Sequence, residues 1–374
     1  MTQAITTHSR PSSNSFADKA GGVAWRFSCF NLFVLGSLIC LQSGAQPLAR
    51  LVNDANVPAA AQPRFVKDPV SKEISAFRHS VRQLYNASNF DELEKIAAEL
   101  CATKARYGNG WWKIESFYDS LECAEDEQER MWRLHDQIHR DWIAKKPASI
   151  SARVAYADFF CCYAWHARGF GYADSVKAEG WKLFRERLSS AHKVVDEARK
   201  IKEKDPYLGI VALRVAQGEG PEKAEYDAIL DEAYAAEPAF WRYDAKRAYS
   251  LLPRWHGKPG EWEAFALKAA ARPSGLGAEI YARIVLNLDD FYGNIFDESD
   301  ASWPKTREGL ELMLKRYPDS LEIANEAARL AYLARDRDMA KAMFARLDGS
   351  CVASVWSGPE QFFGAQKWVQ KADK

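Results

Sequence analysis

Apolar side chains recur at three- and four-residue intervals along most of this chain, which is the period of an amphipathic α-helix. The stretch from Phe90 to Gly110 shows the pattern clearly. Leu93, Ala97 and Leu100 lie on one face of it, and glycines at its end stop the helix. No stretch sustains the alternation of apolar and polar positions that a half-buried strand produces. The pattern therefore predicts an all-α protein without a β-sheet.

The same intervals, interrupted by short connections, predict a long series of helices. After a stretch that starts near Ser71 and the helix that starts at Phe90, the predicted helices cover residues 111–121, 125–145, 149–168, 175–203, 206–217, 221–236, 238–252, 260–272, 275–292, 303–317, 319–334, 336–347 and 359–371. Proline opens several of them, where its missing N–H costs no hydrogen bond. Asp319 and Glu322 are interpreted as an N-cap and its reciprocal acid.

The helices group into hairpins of about 30 to 45 residues, the period of tetratricopeptide-like arrays. Between Ala331 and Phe344, small residues precede a charged turn, and Ala340 follows it, as at the crossing between the two helices of such a repeat. Tyr226 and Pro238 fit the other end of a similar unit. The predicted fold class is all-α, a tetratricopeptide-like αα-hairpin solenoid, in which each repeat contacts mainly its neighbours.

Residues 1–45 are predicted to be a signal peptide or a membrane anchor. The run from Phe27 to Leu41 is apolar but shorter than the roughly 20 residues that span a bilayer. Arg26 precedes this run, and small residues at 43–45 follow it, as at a signal-peptide cleavage site. Cleavage at this site predicts export to the periplasm or the cell envelope, and an uncleaved segment predicts a membrane anchor.

Three further segments follow the N-terminal one. Residues 46–70 contain several prolines and an alanine run without apolar periodicity, which predicts a flexible linker. Residues 71–348 form the predicted helical-repeat domain, and residues 349–374 a C-terminal helical tail. Cys101 and Cys123 lie near opposite ends of one predicted hairpin, so a disulfide between them is one alternative and free thiols are the other.

The composition is that of a folded protein and excludes one class of partner. Hydrophobic residues make up 47% of the chain and charged residues 27%, which is not the balance of a disordered chain. The 51 basic and 51 acidic residues cancel, so the chain lacks the basic excess that phosphate binding requires. Nucleic acid is therefore not an expected partner. The 13 tryptophans are numerous for a residue of cores and interfaces.

A set of short motifs extends over residues 90–347. It includes Ala164–Gly169, Gly180–Phe184, Tyr281–Ile284, Tyr317–Ser320 and, most distinctively, LLPRWHGKPGEWEAFA at residues 251–266. In these motifs the chain resembles a bacterial family of exported tetratricopeptide-like helical proteins of unknown function. The resemblance implies an all-helical protein outside the cytoplasm. It implies no reaction and no catalytic residues, and neither a cofactor nor a metal is predicted.

The turn within residues 251–266 carries the candidate ligand-binding residues Arg254, Trp255, Glu261 and Trp262. In one interpretation they form a ligand platform, with an arginine over an indole beside an acid. In the other they clamp one hairpin onto the next, with buried tryptophans and an ion pair between Arg254 and Glu261. The clamp also explains the glycines of this turn, which adopt backbone conformations that other residues avoid.

The sequence His-Asp-Gln-Ile-His places His135 and His139 one turn apart on a predicted helix. Zinc proteases space two ligands in this way, but they also carry a glutamate after the first histidine, where this chain has Asp136. No third ligand is evident in the sequence. The two histidines are therefore assigned to a solvated helix face.

The expected function is binding or scaffolding, because helical solenoids present extended concave surfaces. A protein or peptide is the expected partner and a cell-wall glycan the second possibility, with membrane contact only through an uncleaved N-terminal segment. The alternative is a periplasmic polysaccharide-active enzyme, built as a closed helical toroid. Its acids would come from the pairs Asp289–Asp290 and Glu261–Glu263, because glycoside cleavage uses two carboxylates.

Overall fold

Apolar side chains at helical intervals produce helices along almost all of the chain that the structure describes. The computed structural model describes residues 63–169, 175–220, 222–255, 257–273 and 275–370. Helices make up 72% of these residues and strands almost none, which confirms the all-α class. None of the described helices is long and apolar enough to cross a membrane.

Sixteen α-helices follow one another in this part of the chain. They are α1 (Pro69–Asn86), α2 (Phe90–Thr103), α3 (Lys113–Asp119), α4 (Glu129–Lys145), α5 (Ile150–Arg168), α6 (Ala178–Arg199), α7 (Pro206–Glu219), α8 (Lys223–Ala236), α9 (Arg242–Ser250), α10 (Glu261–Ala270), α11 (Ala278–Leu288), α12 (Ile295–Glu298), α13 (Trp303–Arg316), α14 (Leu321–Leu333), α15 (Arg337–Leu347) and α16 (Pro359–Gln370). Most lie within a few residues of the predicted bounds. The differences arise because caps and turns, rather than apolar spacing, determine where a helix ends.

A small parallel sheet corrects the expectation that the chain has no strands. β1 (Arg64–Val66) pairs with β2 (Ser350–Val352), and Phe65 lies opposite Cys351. Each strand has three residues, which is too few for alternation to be recognised in the sequence. The pairing joins the start of the described chain to its C-terminal part.

Two of the predicted segments are affected by this sheet. The segment 1–45 and most of the linker 46–70 lie outside the described residues, but residues 64–70 form β1 and the start of α1 instead of a linker. The segment 349–374 contributes β2 as well as the predicted helix, which is α16. The indole N–H of Trp356 donates to the side-chain oxygen of Asn325 at 2.9 Å, so the C-terminal segment is packed against α14.

Most helices pack against the next one or two along the chain, as in stacked hairpins. Small residues allow the closest approaches. A Cβ added to Gly309 in α13 would lie 2.2 Å from the carbonyl oxygen of Ala278 in α11. Ala327 and Ala328 in α14 are completely buried. Backbones therefore approach closely at these positions, and larger side chains fill the space elsewhere.

The N-terminal part of the chain also reaches elements far along the sequence. Trp112 packs edge-on against Phe240, with ring centroids 5.0 Å apart. A carboxylate oxygen of Asp68 accepts the backbone N–H of Glu322 at 2.7 Å. These contacts differ from those of a simple solenoid, in which each repeat contacts only its neighbours. The loop between α2 and α3 also contacts α9, α11 and α14 through Asn109 and Trp111.

Cys101 and Cys123 are not joined in a disulfide. Cys101 lies beside Asp205, and burial is the main cause that raises the pKa of its thiol. Cys123 lies elsewhere, near Glu127 and Arg82, and burial raises its pKa to about 12. The disulfide between Cys101 and Cys123 is therefore not formed in this structure, and both thiols remain protonated at neutral pH.

The assignment of the two histidines to a solvated helix face is wrong. His139 is completely buried, and its ring lies between those of Tyr85, Tyr156 and Phe159 at centroid distances of 5.3, 5.6 and 5.2 Å. The Nδ1 atom of His135 is 3.3 Å from the hydroxyl of Tyr85. Burial is the main cause that lowers the pKa of both imidazoles, that of His135 to about 4. These residues form an aromatic core around neutral histidines.

Replacing His139 by phenylalanine is expected to raise the free energy of unfolding by about 1 kcal/mol, because both ring nitrogens are buried without a hydrogen-bond partner in the described structure. The gain should grow as the pH falls below 6.5, the ordinary pKa of histidine. Below this pH the imidazole of the unfolded wild type binds a proton, whereas the buried imidazole of the folded protein stays neutral, so the wild type loses stability. Urea unfolding at several pH values measures both effects.

The half-exposed His192, replaced by glutamine, is the matched control: its ion pairs with Asp196 and Glu219 lie at the surface, so the replacement should change stability by at most about 1 kcal/mol. The opposite result would be a phenylalanine variant that is less stable than the wild type at neutral pH, with the same dependence of stability on pH below 6.5. That result would mean that the imidazole nitrogens of His139 have hydrogen-bond partners in the folded protein.

Candidate functional site

The structure brings Arg254 and Trp255 together within an aromatic cluster. The Arg254 guanidinium lies 5.7 Å from the Trp255 ring centroid and 5.3 Å from that of Phe291. The Trp255 ring meets those of Trp165 and Tyr249 at 5.8 and 5.6 Å. The arginine-over-indole arrangement expected from the sequence is therefore present, and hairpins far apart in the chain contribute to it.

The other two candidates of this turn lie in different surroundings. Glu261 pairs with Lys223 at 3.2 Å and accepts the backbone N–H of Lys258 at 2.8 Å, so the ion pair with Arg254 that the clamp interpretation required is not formed. Trp262 is buried, and its indole N–H donates to the hydroxyl of Tyr292 at 3.0 Å. The four residues therefore do not converge on one site.

A small pocket, partly open to solvent, lies where three parts of the chain meet. The loop between α2 and α3 forms one side, α9 and α11 a second, and α13 and α14 the third. The lining residues are Asn109, Trp111, Trp241, Arg242, Arg283, Leu286, Asn287, Met313, Glu322, Ile323 and Glu326. The enclosed part of this pocket is small, and its mixed apolar and charged lining is typical of ligand-binding sites.

A tight turn presents Asn109 and Trp111 to this pocket. The backbone N–H of Tyr107 donates to the carbonyl of Trp111 at 2.8 Å, and that of Gly110 donates to the carbonyl of Tyr107 at 2.9 Å. Gly110 has a φ of +83°, a conformation that favours glycine. The side-chain oxygen of Asn109 accepts the Trp111 N–H at 3.2 Å, which fixes the turn further.

Two indoles and two guanidinium groups form the aromatic side of the pocket. Trp111 and Trp241 meet edge to face at a centroid distance of 5.2 Å. The Arg242 guanidinium lies 4.9 and 5.2 Å from these two rings, and that of Arg283 lies 4.6 Å from Trp241. Cation–π attraction and stacking hold the wall in place.

Buried acids hold both arginines from behind. The Nε of Arg242 lies 2.5 Å from a carboxylate oxygen of Glu115, and the Nε of Arg283 donates to Glu279 at 2.8 Å. Arg283 also donates to the backbone carbonyl of Asn109 at 3.0 Å. The charge of each arginine is therefore already opposed by a carboxylate, and its orientation is fixed by hydrogen bonds.

Glu322 and Glu326 occupy the opposite wall, one turn apart on α14. The side-chain amide of Asn109 donates to Glu322 at 2.9 Å. Glu326 is only 6% exposed, and its carboxyl group makes no hydrogen bond within the described structure. Burial is the main cause that raises the pKa of both groups, and the charge of Glu322 raises that of Glu326 further. Glu326 is therefore a buried acid that favours its protonated form.

A second polar group in the pocket wall lacks a partner. The indole N–H of Trp241 is buried without a hydrogen bond in the part of the chain that the structure describes. Leaving a buried donor or acceptor unpaired costs about 1–3 kcal/mol. A ligand that supplies an acceptor to Trp241 and a donor to Glu326 would recover this energy.

The one group of possible metal ligands in the described residues lies elsewhere, at Glu122, Asp158 and Cys162. Arg214 is within hydrogen-bond distance of both acids, at 3.4 Å from Glu122 and in close contact with Asp158. A guanidinium group therefore already supplies the positive charge that these carboxylates require. The cluster is best explained as a buried ion-pair network.

The sequence indicated parts of this pocket without identifying it. Glycines at 108 and 110 were recognised only as the end of a helix, although an Asn-Gly pair is also a turn signal. Glu322 was interpreted as the acid of a capping box. The observed N-cap of α14 is Ser320, whose hydroxyl accepts the N–H of Ile323 at 3.2 Å, and the carboxyl of Glu322 lines the pocket instead.

Replacing Gly110 by alanine is expected to destabilise the protein by at least about 1–2 kcal/mol, the cost of a left-handed backbone for a residue with a Cβ. The added Cβ would also lie 2.4 Å from the Arg283 Nη2 and 2.5 Å from the Tyr317 ring. Urea unfolding is the measurement. Gly364 within α16 has open space around it and is the control, because alanine there should be neutral or stabilising.

If both alanine variants were as stable as the wild type, the turn at Asn109 and Gly110 would have a different conformation in solution.

Comparison with known proteins adds no assignment to this pocket. No protein-family model, no curated protein and no solved structure matches the chain, so its resemblance to a tetratricopeptide-like family remains a prediction.

Proposed function

We propose that this protein is an extracytoplasmic binding protein, built from tetratricopeptide-like αα-hairpins, that holds part of a protein or peptide partner in the pocket between Trp111 and Glu326. The stacking of consecutive helices supports the repeat architecture. The apolar run at residues 27–41 supports export. No reaction is assigned, because binding alone accounts for the arrangement of the pocket.

The observation that carries this proposal is the buried, unpaired carboxyl group of Glu326 in the pocket wall. Folded proteins pair nearly all of their buried polar groups, so an exception requires an explanation. The indole N–H of Trp241, in the same pocket, is buried without a partner in the described structure. A ligand that offers an acceptor to Trp241 and a donor to Glu326 would satisfy both groups.

Aromatic side chains, amides and paired acids also occur in sites that bind or cleave glycans, which keeps the enzyme alternative open. Glu322 and Glu326 are both in the pocket, beside its tryptophans. However, they lie one turn apart on the same helix, whereas glycosidase acids flank the bond that they cleave. The acids suggested by the sequence are engaged elsewhere: Asp289 pairs with Arg329, and Glu263 accepts the N–H of Asp300. Binding is therefore favoured over cleavage.

The test is a comparative capture from the envelope fraction of the source cell. The wild type, Trp111→Ala and Trp368→Ala are immobilised, and the retained material is quantified by mass spectrometry. Trp111 lines the pocket, whereas Trp368 is a half-buried tryptophan of α16 that packs against Tyr332, 5.5 Å away. Thermal unfolding confirms that both variants are folded.

We expect a protein or peptide that the wild type and Trp368→Ala retain and Trp111→Ala loses. A partner retained equally by all three proteins would show that the pocket is not its binding site. If the wild type retained glycan fragments and Trp111→Ala did not, the partner would be a cell-wall component instead of a peptide. If those fragments became shorter during incubation with the wild type, the enzyme alternative would be favoured.

A further inference from the structure

We infer that the pocket between Trp111 and Glu326 receives a cationic side chain, the ammonium group of a lysine or the guanidinium group of an arginine, from a peptide partner. This inference rests on the proposed binding function and specifies which group of the partner enters the pocket. It depends on the charges around the pocket, the shape of its walls and the unpaired acid at one side.

Acidic groups outnumber basic ones around the pocket. Within the described structure, ion pairs join Arg242 to Glu115, Arg329 to Asp289, and both Arg283 and Arg316 to Glu279. Three more carboxyl groups, those of Asp68, Glu322 and Glu326, have no such pair. Six carboxyl groups therefore surround four guanidinium groups. The missing positive charge is what a basic side chain would bring.

The surplus of acidic groups is concentrated beside Glu326. The charged groups that act on it are Glu322 and Arg329 on its own helix, Arg283 on α11, and Asp289 in the turn after α11. Asp68 acts on Glu322 from the start of α1. Both arginines already have carboxylate partners, so neither neutralises Glu326 fully. An ammonium or guanidinium group near Glu322 and Glu326 would pair with both carboxylates.

The remaining walls suit the stem of such a side chain. Leu286, Met313 and Ile323 line the pocket between its charged sides. Lysine and arginine bury their aliphatic stems along apolar surfaces while the charged end finds polar partners. Trp111 lies at the half-exposed side of the pocket, where the peptide backbone would pass. The pocket is narrow and open on one side, so a single extended side chain is the largest group that it could receive.

Binding of a cation should be linked to pH. Burial raises the pKa of Glu326, so the free protein keeps this proton to a higher pH than an exposed carboxyl group does, and a bound cation favours the ionised form. The proton is released on binding, and affinity therefore increases as the pH rises through the pKa of the free protein. Glu322, whose pKa burial also raises, contributes a smaller part of the same dependence.

The experiment uses two probes that differ only in charge. One is a blocked peptide with a single lysine between glycines, and the other is the same peptide acetylated on the lysine side chain. The indole ¹H–¹⁵N signals of the folded protein report binding, with those of Trp111 and Trp241 assigned by substitution. Titrations with the wild type, Glu326→Gln and Glu308→Gln are compared. Glu308 is an exposed acid of α13 that pairs with Lys305, so it serves as a matched control.

We expect the lysine peptide to shift the two indole signals and to bind at least about 10-fold more tightly than the acetylated peptide. Glu326→Gln should reduce affinity for the lysine peptide by a similar factor and flatten its pH dependence, whereas Glu308→Gln should change neither. Equal affinity for the two probes, or an unaffected Glu326→Gln protein, would overturn the inference. So would the absence of any shift with the lysine peptide. The binding function itself is decided separately, by the Trp111-dependent capture.

Discussion

Replacing Arg214 by methionine is expected to lower the free energy of unfolding by about 3–5 kcal/mol, the loss that follows when one partner of a buried ion pair is removed. Arg214 is 3% exposed and contacts the carboxylates of Asp158 and Glu122 as well as the Tyr207 hydroxyl at 3.2 Å. Without the guanidinium group, two carboxyl groups would remain buried side by side. Urea unfolding at neutral pH measures the loss.

The loss should be smaller at acidic pH. Burial raises the pKa of Glu122 and of Asp158, and Arg214 opposes that shift. In the variant the folded protein would keep both groups protonated, while the unfolded chain ionises them above its ordinary carboxyl pKa. The free energy of unfolding of the variant therefore falls as the pH rises from the ordinary carboxyl pKa to neutrality. A pH-independent loss would indicate that packing around the arginine stem, rather than its charge, is responsible.

Arg199 provides the matched control for this prediction. It also contacts two carboxylates, those of Asp196 at 3.0 Å and Glu232 at 2.9 Å, but both partners are about half exposed. Exposed ion pairs contribute about 0–1 kcal/mol. If the methionine variants of Arg199 and Arg214 were equally stable, the buried network would contribute no more than a surface pair.

Replacing Asp68 by alanine is expected to lower the free energy of unfolding by about 1–4 kcal/mol, because one buried carboxylate caps two helices and each cap contributes about 0.5–2 kcal/mol. Asp68 is 1% exposed. One of its oxygens accepts the Val70 N–H at the start of α1, and the other accepts the Glu322 N–H at the start of α14, both at 2.7 Å. Its removal would leave one buried and one partly buried N–H group unpaired and loosen the junction that forms the pocket.

Asparagine at this position retains a single acceptor oxygen, so Asp68→Asn should lose about half as much stability as Asp68→Ala. Asn89 is the control, since it caps only α2, at an exposed position with a distance of 3.4 Å to the Glu92 N–H. Calorimetric unfolding of the three variants compares them. A loss for Asp68→Ala no larger than that for Asn89→Ala would show that the contact between α1 and α14 is not maintained in solution.

The helices were predictable because their signal is local. The apolar face of α2, the proline that opens α7 and the serine that caps α13 all lie within or next to the helix that they define. A period of three to four residues can be read from a single window of sequence. The two strands could not be found in this way, because three residues carry no periodicity and their pairing joins residues nearly 290 apart.

The candidate site was less predictable, because its residues come together only through contacts that are distant in sequence. Asp68 was assigned to a flexible linker on account of the prolines around it, but α14 gives its carboxylate a second helix to cap. Trp111 and Trp241 are separated by more than a hundred residues, and nothing in either neighbourhood indicates that the two indoles meet. The conspicuous turn at Arg254 and Trp255 drew attention because its residues are adjacent in the chain.

The sequence by itself determined the all-α class, the order of the helices and most of their limits, because these depend on apolar spacing and capping over a few residues. Only the tertiary structure decided that the loop between α2 and α3 lies against α9, α11 and α14, and that a pocket with an unpaired acid forms at this junction. The physical reason is that burial and electrostatic pairing depend on which groups face each other across helices. A charged residue such as Glu326 looks the same in the sequence whether it faces solvent or a pocket.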